Sequence, residues 1–290
     1  MAARRSILAL GALLFMLFAG ANTAPADASQ HRSLTCSGAS LQAPGIIQAG
    51  TYHSLTVQGV CVIPGGSVNV DQNVVVNAGG VLVANFPASP GIPEGDAEVT
   101  VGGNILVGSG ATLDLGCAPS AGCVNTTHDT IGGNLVADNP LGVLVHGDVV
   151  RGNVVHSGGG GGVTCIPSGF FADIGSPDFS AYEDSTIGGN IIVAGVNSCW
   201  LGLARLTVGR NTILTDNNLA DPDAIEILSN AISHNLICEG NSMVWDSFDA
   251  TPGILFPRIP APNTVDGRRI GQCVLASPLT PGGPVGPGPF

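Results

Sequence analysis

The stretch VHGDVVRGNVVH, residues 145–156, brings His146, Asp148, Arg151 and His156 close together in the chain. An Asp–Arg pair across a bend could orient a substrate, and a histidine titrating near neutral pH could move a proton beside it. These four are the candidates for acid–base catalysis. The competing reading places them at corners and outward positions of two successive turns of the chain, with Asp148 standing where other turns carry Asn. Two acidic clusters follow. Asp173, Asp178, Glu183 and Asp184 form the first, and Asp216, Asp221, Asp223 and Glu226 the second. Carboxylates so grouped can hold calcium through oxygen, and the second cluster supplies the calcium candidates. Neither shows EF-hand spacing or a GGxGxD repeat, so solvated loop acids are the competing reading. The same carboxylates could serve glycoside hydrolysis, which depends on a separation that sequence does not fix. Aromatic platforms for a sugar are few: Tyr52, Tyr182, Trp200 and Trp245. Trp200 follows Cys199 and is expected against a disulfide, and Trp245 in a cap. No cofactor is expected. The Gly-Gly-Asn segments lack the Gly-Lys-Ser/Thr of a phosphate loop and the GxGxxG of a dinucleotide site.

Any such residues must be positioned by the repeats around them. TVGGNILVGS (100–109), TIGGNLVADN (130–139) and TIGGNIIVAG (186–195) are near-copies. HGDVV (146–150), RGNVV (151–155), GRNTIL (209–214) and SHNLIC (233–238) read as degenerate ones. Asn190 to Asn211 is 21 residues, Asn211 to Asn235 is 24, and Asn104 to Asn134 is 30. Between these units run short alternating segments, which predict strands with one buried face. Val68, Val70, Leu113, Leu115, Val143, Val145, Leu206 and Val208 should point inward, and Asn69, Asp114, Leu144 and Thr207 outward. Short strands recurring at some twenty residues, without helical periodicity, predict an all-β solenoid of the single-stranded parallel β-helix type. In that fold the Gly-Asn unit is a corner. Gly, and less freely Asn, accepts the positive φ a sharp bend can need, and stacked Asn side chains can exchange amide hydrogen bonds.

Departures from the pattern mark loops. Insertions are expected near 84–98 and 157–184, a C-terminal cap near 239–275, and a disordered Pro/Gly tail at 276–290. Residues 1–28 read as a secretory signal peptide: Arg4 and Arg5 precede an apolar stretch, then small residues. Its apolar part is too short for a membrane span, and no covalent anchor is expected at either end. The whole chain carries a formal charge of −12, with 9 basic and 21 acidic residues. Removal of Arg4, Arg5 and Asp27 leaves 7 against 20, or −13. All basic residues are Arg. Such a surface repels phosphate backbones and anionic lipid, so no nucleic acid and no membrane is expected as partner of the mature form, and acidic glycans are disfavoured. The 8 cysteines, an even number in an exported chain, predict disulfides. Eight cysteines permit 105 connectivities. Loop length favours the sequential one: Cys36–Cys61, Cys117–Cys123, Cys165–Cys199 and Cys238–Cys273. The Asn125-Thr126-Thr127 sequon matters only in a host that glycosylates such sites.

The segments ISHNLICEGN and PNTVDGRRIGQC, with the Gly-Gly-Asn copies, resemble exported actinobacterial Gly-Gly-Asn-repeat proteins of unknown function. Those proteins end in an NLxCxGN segment followed by NTVxGxxxGQC, matched here at Asn235–Asn241 and Asn263–Cys273. The resemblance covers about half of the mature chain. It implies an exported, right-handed parallel β-helix, the hand resting on the resemblance alone, supports the Cys238–Cys273 bridge and implies no catalytic residue. The long 157–184 insertion and the extended stretch between Asn241 and Asn263 depart from the pattern. The Asn-Thr-Asp, paired-Asp, Gly-His-Gly and Arg-Ile-Lys blocks of polygalacturonase-like β-helices are absent. The resulting expectation is a secreted non-catalytic scaffold or surface/matrix protein, extracellular or cell-envelope associated. Glycan or cell-wall contact and end-to-end self-association are the expected interactions. The alternative is a β-helix carbohydrate-active enzyme, a lyase or glycoside hydrolase, acting on a neutral extracellular glycan.

Overall fold

A computed structural model describes residues 32–87, 94–221, 225–247 and 263–274. The expected signal peptide and Pro/Gly tail lie outside the described residues. Each turn of chain, here called a coil, lays one short strand on each of three parallel sheets. Sheet 1 has ten strands, from Leu34–Cys36 to Arg269–Gly271; sheets 2 and 3 have nine each. Every neighbouring pair runs parallel and in register, so that Leu55, Val74, Ile105, Leu135, Val154, Ile191, Thr212 and Leu236 form one inward column. At about 4.8 Å per strand, ten strands span about 43 Å. The chain is a parallel β-helix. No single coil can cover its apolar side, so one continuous core runs from Cys36 to Cys273. The eight residues expected to point inward are all buried.

The corner between sheets 3 and 1 carries the Gly-Gly-Asn units, and its asparagines form an unbroken ladder. Asn104 donates its backbone N–H and its Nδ2 to Oδ1 of Asn73, at 2.8 and 3.2 Å. The same pair of bonds links Asn134 to Asn104, Asn153 to Asn134, Asn190 to Asn153, Asn211 to Asn190 and Asn235 to Asn211. Arg268 closes the series with its N–H on Asn235 Oδ1, at 2.9 Å. The ladder is as anticipated, but the reason for the glycines is different. Neither they nor the ladder asparagines have positive φ. Glycine is required by close approach: a Cβ on Gly132 would lie 2.6 Å from the Gly102 carbonyl oxygen, and one on Gly133 2.5 Å from Asn104 Oδ1. Positive φ occurs at the other corners. Gly110, Asn139, Gly195 and Asp216 carry it between sheets 1 and 2, and Gly147, Asp184, Arg205 and Ser229 between sheets 2 and 3. HGDVV (146–150) therefore belongs to a different corner from the asparagine ladder.

The irregular regions hold more order than the sequence indicates. Of 157–184, residues Phe179–Glu183 are a sheet 2 strand, paired with Gly142–His146 and Trp200–Ala204. What precedes it contains a short helix, Gly169–Ile174, whose Phe170 and Phe171 cover the outer face of sheet 2. Leu144 does face outward, yet it is buried there with Val81, Val83 and Ala181. Covered on both sides, these strands lose the alternation by which strands are recognised. At 84–98 the excursion is shorter, since Asp96–Val101 is a strand of sheet 3. The expected C-terminal cap is in part a further coil: Trp245–Ser247, Thr264–Val265 and Arg269–Gly271 continue the three sheets. The Trp245 side chain lies outside the described residues. Trp200 packs edge-on to Phe179 at 6.1 Å and donates its Nε1–H to Asp221 Oδ2. The four disulfides join the cysteines in sequential order. Disulfides of this number belong to an oxidising compartment. Among the described residues no helix is long and apolar enough to cross a membrane.

Candidate functional site

The four candidate catalytic residues do not converge. His156 faces the interior of sheet 1, in the column of Ala137 and Val193. Its Nε2 lies 3.1 Å from the Gly158 carbonyl and its Nδ1 3.0 Å from the Tyr182 hydroxyl. A carbonyl only accepts, so Nε2 carries the proton and Nδ1 accepts from the tyrosine O–H. Burial lowers the His156 pKa to about 4 and raises that of Tyr182. This is a neutral, sealed core pair. Arg151 is exposed at the asparagine-ladder corner and makes no ion pair among the described residues. Only His146 and Asp148 remain near one another, at the corner where sheet 2 passes to sheet 3.

That corner has its own ladder. Val99 N–H donates to Asp129 Oδ1 at 2.6 Å, Asp129 N–H to Asp148 Oδ1 at 3.2 Å, and Asp148 N–H to Ser185 Oγ at 3.0 Å. Further along, Leu206 N–H uses Asn230 Oδ1 and Asn230 N–H uses Asn263 Oδ1, at 2.8 and 2.7 Å. Asp129 and Asp148 thus stand at asparagine positions, but of this corner's ladder and not of the Gly-Gly-Asn corner to which the sequence reading assigned Asp148. Both are buried, and desolvation raises both carboxyl pKa values, with mutual repulsion adding to the shift of Asp148. Asp129 is the better solvated by protein, accepting also from Asn85 Nδ2 and the Gly116 N–H. Asp148 Oδ2 has no hydrogen-bond partner. A proton shared by this pair therefore rests on Asp148.

Beside the corner, on the outer face of sheet 2, lies a cavity of about 290 Å³. Two outward columns floor it: Asp114 next to Leu144, and Gly116, His146 and Glu183 in successive strands. Cys117 and Ala121, from the loop stapled by Cys117–Cys123, and Ile174, at the end of the insertion helix, form its walls. Burial pushes the Asp114 carboxyl up to about 8. Burial also lowers His146, against the opposing pull of Glu183, so its imidazole is neutral at pH 7. His146 Nδ1 is 3.8 Å from Glu183 Oε1, beyond hydrogen-bond reach, and has no other partner. Glu183 is held by the guanidinium of Arg205, which also binds Asp184 Oδ1 through Nε at 2.7 Å.

Several acids of the two clusters make structural contacts: Asp178, Glu183, Asp184 and Asp221. Asp178 accepts from the N–H and hydroxyl of Ser168, at 2.8 and 2.5 Å, ahead of the insertion helix. Asp216 is a positive-φ corner residue and Glu226 faces outward on sheet 2, while Asp223 lies outside the described residues. Among the described residues no three His, Cys, Asp or Glu side chains gather as a metal ion would need. The cavity residue Asp114 and the neighbours Asp129 and Arg205 escaped the catalytic reading of the sequence, whereas Glu183 entered it as a member of the first acidic cluster. Asp114 carries an outward-facing signal, but nothing local shows that a distant loop and helix wall it in. Comparison with protein-family models, with curated proteins and with solved structures finds no match to this chain.

Proposed function

We propose that the chain is an exported, non-catalytic β-helical scaffold of the cell exterior. One observation carries this reading: the side chains best suited to acid–base chemistry are parts of the framework. His156 is locked to Tyr182 inside the core, and Asp148 accepts the Asp129 N–H of the preceding coil. The four disulfides and the apolar leader after Arg4-Arg5 support an oxidising, extracellular setting. Contact with glycan or cell-wall material and end-to-end stacking of coils belong to the same proposal. Incubation with a panel of neutral plant and microbial polysaccharides should release no products. Turnover that disappears in His146→Ala overturns the reading.

A second reading, a glycan-cleaving enzyme, draws on the cavity. Asp114, with its raised carboxyl pKa, and Glu183, held by Arg205, share the floor of the cavity, two carboxyl groups in different environments as such an enzyme uses them. It requires the same assay to show activity and Asp114→Asn to abolish it.

A further inference from the structure

We propose that the cavity on the outer face of sheet 2 binds a small organic ammonium ion, with Asp114 as counter-ion and His146 as hydrogen-bond acceptor. Geometry is the first ground. A volume of about 290 Å³ admits one ring-sized molecule. His146 is only 7% exposed, lines the cavity and has a ring nitrogen without a partner. Buried polar atoms in folded proteins nearly always find a partner. This nitrogen, Nδ1, is itself buried, 3.8 Å from Glu183 Oε1, so it meets a ligand N–H by rotation of the imidazole toward the cavity.

Charge is the second ground. Glu183 is answered by Arg205, whereas Asp114 has no cationic partner among the described residues. Asp114, mostly neutral in the empty site at pH 7, ionises fully there only when a positive charge comes from outside. The chain carries a formal charge of −12 and no lysine, a balance that favours the approach of cations over anions. The apolar wall of Leu144, Ile174 and Phe179 then selects among cations. It suits a carbon body and offers little to a hydrated metal ion, which needs several oxygen ligands.

Binding of such a cation carries a proton signature. Desolvation keeps most of Asp114 protonated at pH 7 in the empty site. The groups around it are His146 and Glu183 lining the cavity, Arg205 behind Glu183, and Asp148 with Asp129 across the corner. The one cation among them, Arg205, is engaged by Glu183 and Asp184. An ammonium group favours the carboxylate, so Asp114 gives up its proton as the ligand enters. A neutral ligand causes no such release.

The test is isothermal titration calorimetry on the disulfide-bonded protein at pH 7, in two buffers of different ionisation enthalpy. Cyclohexylammonium chloride is the probe and cyclohexanol its neutral counterpart. The expected result is binding of the cation with release of close to one proton, and at least about tenfold weaker binding of the alcohol. Asp114→Asn should remove the proton release and weaken the cation at least about tenfold, whereas His146→Gln should weaken binding and leave the release in place. Unfolding midpoints matching the wild type confirm that both variants fold. Equal binding of cyclohexanol, cation binding without proton release, an unaltered Asp114→Asn variant, or no binding of cyclohexylammonium each overturns the proposal. None of these outcomes depends on whether polysaccharides are cleaved.

Discussion

Asp148→Asn should stabilise this protein, and increasingly so as pH rises. The Asp148 side chain is 1% exposed, its Oδ1 accepts the Asp129 N–H at 3.2 Å, and its Oδ2 has no partner. The asparagine at the matching corner, Asn230, shows what the position favours: its Nδ2 donates to the Leu203 carbonyl of the preceding coil, at 2.8 Å. The register runs Leu115, Val145, Tyr182, Leu203, so the Leu115 carbonyl is the corresponding acceptor for residue 148. A side-chain amide at this position would keep the first bond and gain the second. Leaving a buried polar atom unsatisfied costs about 1–3 kcal/mol. Because the folded carboxyl holds its proton to higher pH than the unfolded one, the folded state binds more protons above about pH 4. Its stability therefore declines as pH rises from there towards the folded pKa, and Asp148→Asn removes that decline. The gain should be small at pH 4 and about 1–3 kcal/mol at pH 8, or about 2–12 °C in Tm for a chain of this size. Thermal melts followed by far-UV circular dichroism at pH 4, 6 and 8, under oxidising conditions, measure it. A variant that melts at or below the wild type at pH 8, or gains equally at pH 4 and pH 8, refutes the corner-ladder account.

Three further variants probe the framework. Asn153→Ala removes the oxygen that accepts both the N–H and the Nδ2 of Asn190, and should lower stability by about 1–3 kcal/mol in urea titrations. Gly132→Ala places a Cβ against the Gly102 carbonyl and should cost about 1–3 kcal/mol by forcing two coils apart, read from the same titrations. His156→Leu alone strands the Tyr182 hydroxyl in the core and should cost about 1–3 kcal/mol; adding Tyr182→Phe should recover much of that loss in a double-mutant cycle.

The parallel β-helix was legible because its two determinants are local and repeated. Alternation placed Val68, Val70, Leu113 and Leu115 inside, and the spacing of Asn104, Asn134 and Asn190 placed one corner in every coil. The ladder nevertheless includes Asn73, which lacks the paired glycines and was overlooked. The strand Phe179–Glu183 was hidden for a different reason. A helix that covers its outer face removes the polar residues by which a strand is recognised.

The candidate site was decided by contacts between coils. Composition and order of residues established an acidic, disulfide-bearing chain of stacked turns, because charge, cysteine content and periodicity are properties of the chain itself. They also set His146, Asp148, Arg151 and His156 side by side. The fold then sent His156 into the core, Asp148 into a hydrogen-bonded corner and Arg151 to an exposed one. It brought Asp114, His146 and Glu183 together from three successive strands of sheet 2. Alternation turns neighbours along a strand to opposite faces, while parallel register stacks residues that lie from 16 (Gly45 and Cys61) to 37 (Val154 and Ile191) positions apart in the chain. Only the stacked coils therefore determine which side chains share an environment.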